Sequence, residues 1–462
     1  MTAPFFQPSL SDLSADPSLA ACRAELAVGV VGDADYVNPD GNPVEAPAGT
    51  VFAELSLEPA PGSCVRVEVA LPPPERWDGR LVGVGNGGGG GWLPSKEFGG
   101  HLRRGHVVTT TDLGTKRDAA RAGAGNPEVW KDFGHRATHL AMVAGRALAA
   151  AAYGRAPRFV YFLGYSTGGQ QGMMLAQRNP EDCDAIISGV PAHPRTALHA
   201  YFLWNWQALH RPDGSLLFTD AQEKSWHAAA LEAFAPGERL ERARGRFTSD
   251  PRWTPALVED ALRRAAARDP SLTPAHLDAL RRLCDGPRHA ITGRRIHGGV
   301  PPGGPFAPAM GNLWIFNWVF GADFDPWRFD FGADFDRYQA ALAPDLDAES
   351  VDLDAFRARG GKLLVYSGTS DSCVPWHATA AWYGRVAERY GLNAARDFCR
   401  YYLLPGREHS GGPGVQTIRD EFDLLSRWRE KGIAPTPVGH GMVPPAFDLP
   451  LEPYDPSTET GQ

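Results

Sequence analysis

The segment 164–168 reads Gly-Tyr-Ser-Thr-Gly and fits the pattern G-x-S-x-G. It follows a short apolar run, 159–163, of the kind that forms a buried parallel strand, and it opens a predicted helix. In this context the pattern predicts a sharp strand-to-helix turn that presents the hydroxyl of Ser166 at the carboxyl end of the strand. The alternative is an ordinary glycine-rich turn, but the context favours Ser166 as a nucleophile.

A serine hydroxyl is a weak nucleophile unless a base accepts its proton. With a serine on such a turn, an acidic residue and then a histidine are expected further along the chain. Asp371 follows the predicted strand 363–366 and His409 follows the predicted strand 401–404, so both lie where open α/β sheets place their sites. We expect His409 to act as general base and acid, and Asp371 to orient its imidazole and stabilise the imidazolium.

Both positions have structural alternatives. Aspartate is common in turns, and one histidine among 14 is unremarkable at a surface. His377 is the closest rival as the base, but it begins a predicted helix. The order of Ser166, Asp371 and His409 along the chain, and the place of each directly after a predicted strand, favour Asp371 as the acidic residue and His409 as the base.

An oxyanion hole needs backbone N–H groups that point at the developing negative charge. We expect one from Thr167, directly after the nucleophile, and the other from the glycine run 87–91, with Gly87 and Gly88 as donors. Glycine lets a backbone approach a substrate closely. A flexible loop without function is the alternative. A phosphate-binding loop of the G-x-x-x-x-G-K-S/T type is disfavoured because that pattern is absent.

The elements that must position these residues alternate between strands and helices, which predicts an α/β fold with a mostly parallel sheet. Strands are expected at 65–69, 81–84, 107–110, 159–163, 186–187, 363–366 and 401–404. Helices are expected at about 133–153, after Ser166, at 377–390 and at 415–431.

The α/β pattern is interrupted between 196 and 344, which we interpret as a large inserted lid domain with helices near 219–234 and 254–283. Residues 61–195 and 345–440 are expected to form the catalytic domain. Residues 1–60 show no clear periodicity and are expected to wrap it as an N-terminal segment. Residues 441–462 are expected to form a Pro-rich tail along the surface.

Composition excludes several classes of protein. The 462 residues carry a net charge of -8, so no basic surface for nucleic acid is expected. No apolar run is long enough for a membrane span, and no secretory leader is evident. The six cysteines lack metal-ligand spacing, so we expect no metal, no cofactor and reduced thiols in a cytoplasmic protein. The oligomeric state stays open.

Several longer segments resemble the tannase and feruloyl esterase family, which also holds mono(hydroxyethyl) terephthalate hydrolase. The resemblance runs from about Cys64 to the helix after His409 and is carried by the segments 125–127, 132–139, 153–157, 164–172, 285–288 and 292–296. It implies an α/β-hydrolase core, a large lid and hydrolysis of esters of gallic, ferulic and related aromatic acids. By matching motifs, it gives the triad roles to Ser166, Asp371 and His409.

The sequence departs from the family at informative positions. The family usually has a disulfide between cysteines directly before the nucleophile and directly after the catalytic histidine, and here Tyr165 and Ser410 stand in those places. This loss favours a reducing compartment. Cys22 and Cys64 resemble an N-terminal cysteine pair of secreted relatives, and a bridge between them would weaken the cytoplasmic prediction. No acidic calcium loop like that of many family lids occurs between 213 and 285.

The favoured hypothesis is a serine esterase that hydrolyses small aromatic esters through an acyl-enzyme intermediate. Acyl transfer, lactone formation or cleavage, or C–C bond hydrolysis with the same triad is the alternative, and a noncatalytic binding protein is a third. An aromatic cluster at 314–335 suggests a ring-stacking pocket, although most of these rings are expected to form the core of the lid. Arg294 and Arg295 either pair with a substrate carboxylate or face solvent. Individual substrate contacts are left open.

Overall fold

The computed structural model describes residues 4–14, 16–31, 36–116, 118–234, 252–306, 313–410, 414–441 and 447–459. Its strands are, in chain order, β1 Arg23–Val30, β2 Tyr36–Val37, β3 Pro43–Val44, β4 Val51–Glu58, β5 Val65–Leu71, β6 Arg80–Val84, β7 Val107–Thr111, β8 Phe159–Tyr165, β9 Ala185–Gly189, β10 Lys362–Gly368, β11 Cys399–Leu404, β12 Val415–Ile418, β13 Val438–Gly441 and β14 Phe447–Pro450.

The α-helices span Pro17–Ala20, Phe98–Arg103, Ala119–Ala122, Pro127–Lys131, Ala137–Tyr153, Thr167–Arg178, Arg195–Leu209, Asp220–Phe234, Pro255–Arg268, Pro274–Asp285, Phe316–Phe320, Ala333–Leu346, Asp354–Ala358, His377–Tyr390, Leu392–Arg396 and Glu421–Lys431. A π-helical turn, Asp132–Arg136, leads into the long helix Ala137–Tyr153. Among the residues described, no helix has both the length and the apolar character that crossing a bilayer requires.

The chain divides into two compact units. The first unit comprises Met1–Pro191, Asn317–Ala322 and Asp345–Leu364. The second unit comprises Ala192–Phe316, Asp323–Pro344 and Val365–Gln462. The boundary therefore falls inside strand β10, which begins in the first unit and ends in the second.

The first unit contains a sheet with the strand order β1-β4-β5-β7-β6-β8-β9-β10. Strand β6 pairs in parallel with β7 and β8, and β8 pairs in parallel with β9, so the centre of the sheet has the predicted α/β arrangement. The helix Ala137–Tyr153 packs very close to β6, because a Cβ at Gly83 would lie 2.3 Å from the sulfur of Met142. This helix ends at Gly154 in the left-handed conformation that glycine favours at a C-terminus.

The N-terminal 60 residues contain more regular structure than the sequence analysis predicted. Strand β1 pairs antiparallel with β4, and β4 pairs antiparallel with β5, so both extend the sheet of the first unit. The period-two alternation of Ala53, Leu55 and Leu57 with polar neighbours is a signal that could have predicted β4. The description of residues 1–60 as lacking periodicity was therefore wrong.

The second unit contains the helices predicted for the lid, with the predicted segment 254–283 divided into two helices by the turn around Pro270. Four helices between Arg195 and Asp285 share one apolar core, whose largest members include Leu198, Tyr201, Phe202, Trp226, Leu262 and Leu280. Strand β11 lies beside the second half of β10, and the helix His377–Tyr390 has the predicted boundaries. The domain limits of the sequence analysis remain a prediction.

The C-terminal region differs from its prediction. Residues 415–418 form strand β12 where a helix was expected, and the helix begins only at Glu421. Strands β13 and β14 pair antiparallel with each other, and β13 also pairs with β12. The Pro-rich tail therefore contributes strand β14 to a three-stranded sheet, and the sequence analysis did not predict these strands.

Most rings of the aromatic cluster pack against one another. Within the second unit the ring centroids of Phe316 and Tyr338 are 4.7 Å apart, and those of Phe329 and Phe331 are 5.1 Å apart. All four rings are buried. In the first unit, Trp318 packs edge-on against Phe133, with centroids 5.5 Å apart. Phe316, Phe329 and Phe331 therefore serve as core of the second unit, as the alternative interpretation expected, whereas Trp318 packs in the first unit.

Candidate active site

Ser166 lies at a strained turn between β8 and the helix Thr167–Arg178. Its backbone angles, φ 59° and ψ -117°, are rarely adopted by residues other than glycine. The Ser166 N–H donates to the carbonyl of Gly189 at 2.9 Å. Glycine is needed beside the serine, because a Cβ at Gly164 would lie 2.1 Å from the carbonyl oxygen of Gly168. The sequence motif thus forms the predicted sharp turn from strand to helix.

The glycine loop that follows β6 contacts this turn directly. Thr167 is the first residue of its helix, and its Oγ1 donates to the carbonyl of Gly88 at 2.7 Å. N–H groups in the first turn of a helix have no acceptor within the helix, so the N–H of Thr167 lies where helices bind anions. The structure therefore brings together Ser166, Thr167 and Gly88, as predicted.

The Gly87 assignment needs correction. The N–H of Gly87 donates to Oδ1 of Asn86 at 2.7 Å, so this donor is already engaged within the loop. The side-chain Nδ2 of Asn86 donates in turn to the carbonyl of Trp92 at 2.6 Å. This contact speaks against Gly87 as an oxyanion donor and leaves Gly88 as the candidate.

The loop is held by several further hydrogen bonds, which argues against the alternative of a flexible segment. The N–H of Asn86 donates to Oε1 of Gln171 at 2.8 Å, and Nε2 of Gln171 donates to Oγ1 of Thr138 at 2.7 Å. The hydroxyl of Thr115 donates to the carbonyl of Gly89 at 2.7 Å. Asn86, Gln171 and Thr138 were not singled out from the sequence, although Asn86 directly precedes the glycine run and Gln171 lies within the motif around the serine.

In the second unit, Asp371 and His409 form a hydrogen-bonded pair. Nδ1 of His409 lies 2.9 Å from Oδ2 of Asp371, whose side chain is fully buried. The other carboxylate oxygen of Asp371 accepts the N–H groups of Cys373 and Val374 at 2.9 and 2.8 Å. The carboxylate is thereby fixed in position beside Nδ1 of the imidazole.

The loops that carry Asp371 and His409 are joined by backbone contacts. The N–H of Ser370 donates to the carbonyl of Arg407 at 3.1 Å, and that of Gly406 donates to Oγ1 of Thr369 at 2.7 Å. A Cβ at Gly368 would lie 2.2 Å from the Arg407 carbonyl oxygen, so only glycine allows this approach. The two loops follow the neighbouring strands β10 and β11, which explains why residues 38 positions apart meet.

The electrostatics of the two histidines differ. Burial of the imidazole disfavours the charged form of His409, but the charge and hydrogen bond of Asp371 outweigh this effect, so the pKa of His409 is raised. His377 begins its helix, as expected, and burial lowers its pKa to about 3. Since a base must accept a proton near neutral pH, the low pKa of His377 favours His409 as the base.

The structure also shows the surroundings of the two arginines, the cysteines and the possible metal ligands considered in the sequence. Arg294 and Arg295 face solvent, and Arg295 pairs with Asp285 at 3.0 Å. All six cysteines are free thiols, so Cys22 and Cys64 are not bridged. Within the described ranges, His, Cys, Asp and Glu form no group of three or more that could hold a metal ion.

The parallel sheet with a strained serine at the carboxyl end of β8 defines the class of α/β-hydrolases. Residues 51–319 and 309–440 of the chain match the family described as Tannase and feruloyl esterase. Because these ranges cover most of the chain, it belongs to that family and is a carboxylic ester hydrolase.

Known relatives agree with this assignment. An uncharacterized esterase of Xanthomonas campestris pv. campestris is 29% identical over 87% of this chain and 78% of its own length. A probable feruloyl esterase B-2 of Aspergillus flavus is 29% identical over 82% of this chain and 78% of its own length.

Solved structures confirm the fold. Feruloyl esterase B of Aspergillus oryzae superposes with a TM-score of 0.78 at 20% identity, covering 93% of this chain and 92% of that protein. Tannin acyl hydrolase of Aspergillus niger superposes with a TM-score of 0.73 at 17% identity, covering 96% and 92%. The predicted α/β-hydrolase core is thereby confirmed.

Proposed function

We propose that this esterase hydrolyses small aromatic carboxylic esters through a Ser166–His409–Asp371 triad and an acyl-enzyme intermediate. The observation that carries the proposal is the backbone of Ser166, whose φ of 59° is the strained conformation of an α/β-hydrolase nucleophile. The bond between Asp371 and His409 supports the assignment of the base.

In the proposed reaction, His409 accepts the proton of Ser166 as the serine oxygen attacks the ester carbonyl carbon. The N–H groups of Thr167 and Gly88 stabilise the tetrahedral oxyanion. Collapse of this intermediate releases the alcohol, which takes the proton from His409, and leaves the acyl group on Ser166. Water then attacks the acyl-enzyme with His409 again as base, and the carboxylic acid is released.

Two lines of support favour an aromatic substrate. The relatives include proteins named feruloyl esterase and tannin acyl hydrolase. In this chain, Trp92 is 41% exposed, and its ring lies 3.8 Å from the position that a Cβ of Gly88 would take. Tyr165, next to the nucleophile, is 38% exposed. Exposed rings beside the glycine loop and the serine suit a planar aromatic group.

The test is turnover of methyl ferulate, methyl gallate, chlorogenate, mono(hydroxyethyl) terephthalate and p-nitrophenyl acetate by the wild type and by Ser166→Ala. We expect turnover of at least one aromatic ester and a loss of kcat of about 10³-fold or more in the variant. Ser410→Ala, which removes an exposed hydroxyl next to His409, is the matched control and should retain activity. Equal turnover by wild type and Ser166→Ala would refute the triad, and turnover of p-nitrophenyl acetate alone would refute the aromatic specificity.

A further inference from the structure

The segment that continues the glycine loop is bound by a short antiparallel ribbon, β2 with β3, through Asp40. The turn of this ribbon is organised by Asn38, whose Oδ1 accepts the N–H groups of Asp40 and Asn42 at 3.0 and 2.9 Å. Nδ2 of Asn38 donates to Oγ of Ser95 at 3.2 Å. The ribbon therefore holds Asp40 in a defined position beside the segment that continues the glycine loop.

Arg66 on strand β5 connects the ribbon to the loop. Its Nη1 donates to Oδ1 of Asp40 at 2.8 Å, and its Nε donates to Oδ2 of Asp112 at 3.0 Å. Its Nη2 also donates to the carbonyl of Gly91 at 3.2 Å. A planar guanidinium can satisfy three acceptors in fixed directions, which a lysine ammonium cannot do in the same geometry. Asp40, Arg66 and Asp112 are called the Arg66 clamp below.

The two aspartates of the clamp also bind the loop backbone, Asp40 through its carboxylate and Asp112 through its main-chain carbonyl. Oδ2 of Asp40 accepts the N–H of Leu93 at 2.7 Å, and the main-chain carbonyl of Asp112 accepts the N–H of Gly91 at 2.7 Å. The side chains of Asp40 and Asp112 are 3% and 0% exposed. Charge-assisted hydrogen bonds at such buried positions are strong, and removing one partner leaves a buried charge unpaired.

We propose that the Arg66 clamp positions the glycine loop so that the Gly88 N–H points at the oxyanion, which makes Asp40, Arg66 and Asp112 positioning residues of the esterase. The inference rests on the proposed function, because it assigns the loop to the oxyanion hole. The loop is fixed from both sides, by Thr167 at Gly88 and by the clamp at Gly91 and Leu93. Without the clamp, the Gly88 N–H can move away from its position. A displacement of about 1 Å in a catalytic group can lower the rate by about 10²-fold.

The experiment compares Asp40→Ala, Asp40→Asn and Arg66→Lys with the wild type. We expect kcat to fall about 10- to 100-fold in Asp40→Ala while KM stays within about twofold, because the clamp acts on the transition state. Asp40→Asn retains an acceptor for Leu93 and should lose less. The inhibition constant of phenylboronic acid, whose tetrahedral serine adduct mimics the oxyanion, should rise by the factor by which kcat falls.

Arg103→Met is the matched control. Arg103 pairs with Glu45 at 2.5 Å and, like Arg66, connects the N-terminal segment to the rest of the unit, but both side chains of this pair are exposed to solvent. It should leave kcat and phenylboronic acid binding unchanged. Asp40 variants that keep wild-type kcat, or that lose kcat and affinity for substrate equally, would overturn the inference. Circular dichroism identifies any variant that fails to fold, and Arg66→Lys then provides the second measurement.

Hydrogen exchange of the amides at 86–93 separates this inference from the proposed function. We expect faster exchange in Asp40→Ala than in Arg103→Met, whether or not the wild type hydrolyses an ester. A wild type without Ser166-dependent turnover would refute the proposed function alone. Unchanged exchange in Asp40→Ala would refute the clamp alone.

Discussion

At the residue scale, the pair formed by Asp371 and His409 decides when the base is available. His409 must be neutral to accept the serine proton, and Asp371 raises the pKa of His409 by stabilising the imidazolium. The value of kcat/KM should therefore rise with pH as His409 loses its proton. This rise should occur at a higher pH than for a histidine with the ordinary pKa.

Asp371→Asn should lower kcat by about 10³- to 10⁴-fold and move the ascending limb of the pH profile to lower pH. The reason for the shift is that an uncharged amide no longer stabilises the imidazolium, so His409 loses its proton more easily. Measuring kcat/KM between pH 5 and 9 with an aromatic ester tests whether the ascending limb moves to lower pH.

The chain offers a matched control in a second buried pair. Nδ1 of His139 lies 2.6 Å from Asp182, whose side chain is 1% exposed. Asp182→Asn removes a comparable carboxylate but should leave the pH profile in place. A profile that shifts in Asp182→Asn and not in Asp371→Asn would contradict the assignment of the base.

The strands and the turn that carry the candidate residues could be predicted from the sequence, but the backbone hydrogen bonds around them could not. Ser166, Asp371, His409 and Thr167 follow from order and motif, because each comes directly after a recognisable strand or lies in the serine motif. The error at Gly87 has a local cause, since its N–H is taken by the side chain of the preceding residue, Asn86. No pattern of residue types states which N–H groups of a glycine run are already bonded.

At the scale of elements, the serine turn requires the helix Thr167–Arg178 to approach β8 closely. Gly164→Ala should destabilise the protein by about 2–4 kcal/mol, because the new Cβ would lie 2.1 Å from a backbone carbonyl oxygen that cannot move independently. Activity should fall with it, since relief of the clash displaces Ser166. Urea unfolding and ester turnover measure the two effects.

Gly100→Ala provides the control for this substitution. Gly100 is an exposed residue of the helix Phe98–Arg103, and a Cβ there would meet nothing within 4 Å. Alanine at such a position should leave stability unchanged or raise it by up to about 1 kcal/mol. Equal stability of the Gly164→Ala and Gly100→Ala variants would show that the close packing of the turn is not required.

Elements with strong periodicity were predicted well, and those with short signals were not. The helix His377–Tyr390 is long and amphipathic, so its boundaries could be read from the sequence. Strand β12 has only four residues and directly precedes a helix, so its local pattern is dominated by that helix. Strand β14 pairs with β13, and such pairing between chain segments is set by tertiary contacts.

At the scale of the whole molecule, the fold buries an ionisable group that the proposed mechanism does not use. Glu68 on β5 is fully buried and lies opposite Glu54 of β4 in the sheet. The hydroxyl of Tyr36 lies 3.4 Å from Oε2 of Glu68, and Oε1 has no hydrogen-bond partner among the described residues. Burial raises the pKa of Glu68 to about 7, and the charge of Glu54 adds to the effect.

This raised pKa makes stability fall with increasing pH. At low pH Glu68 is protonated in both states, whereas from about pH 4.5 the unfolded chain releases the proton and the folded protein keeps it until about pH 7. The contribution to stability is therefore complete below about pH 4.5 and is lost as pH rises through about 7. A difference between pKa values of 4.5 and about 7 corresponds to about 3 kcal/mol.

Glu68→Gln keeps the shape of the side chain and removes its charge, so the variant should gain up to about 3 kcal/mol relative to wild type between pH 4.5 and pH 8. Urea unfolding of both proteins across this range measures the difference. Glu25→Gln, at an exposed position of β1, is the control for removing one carboxylate and should follow the wild-type curve. Parallel curves for wild type and Glu68→Gln would mean that Glu68 is already ionised in the folded protein near pH 5.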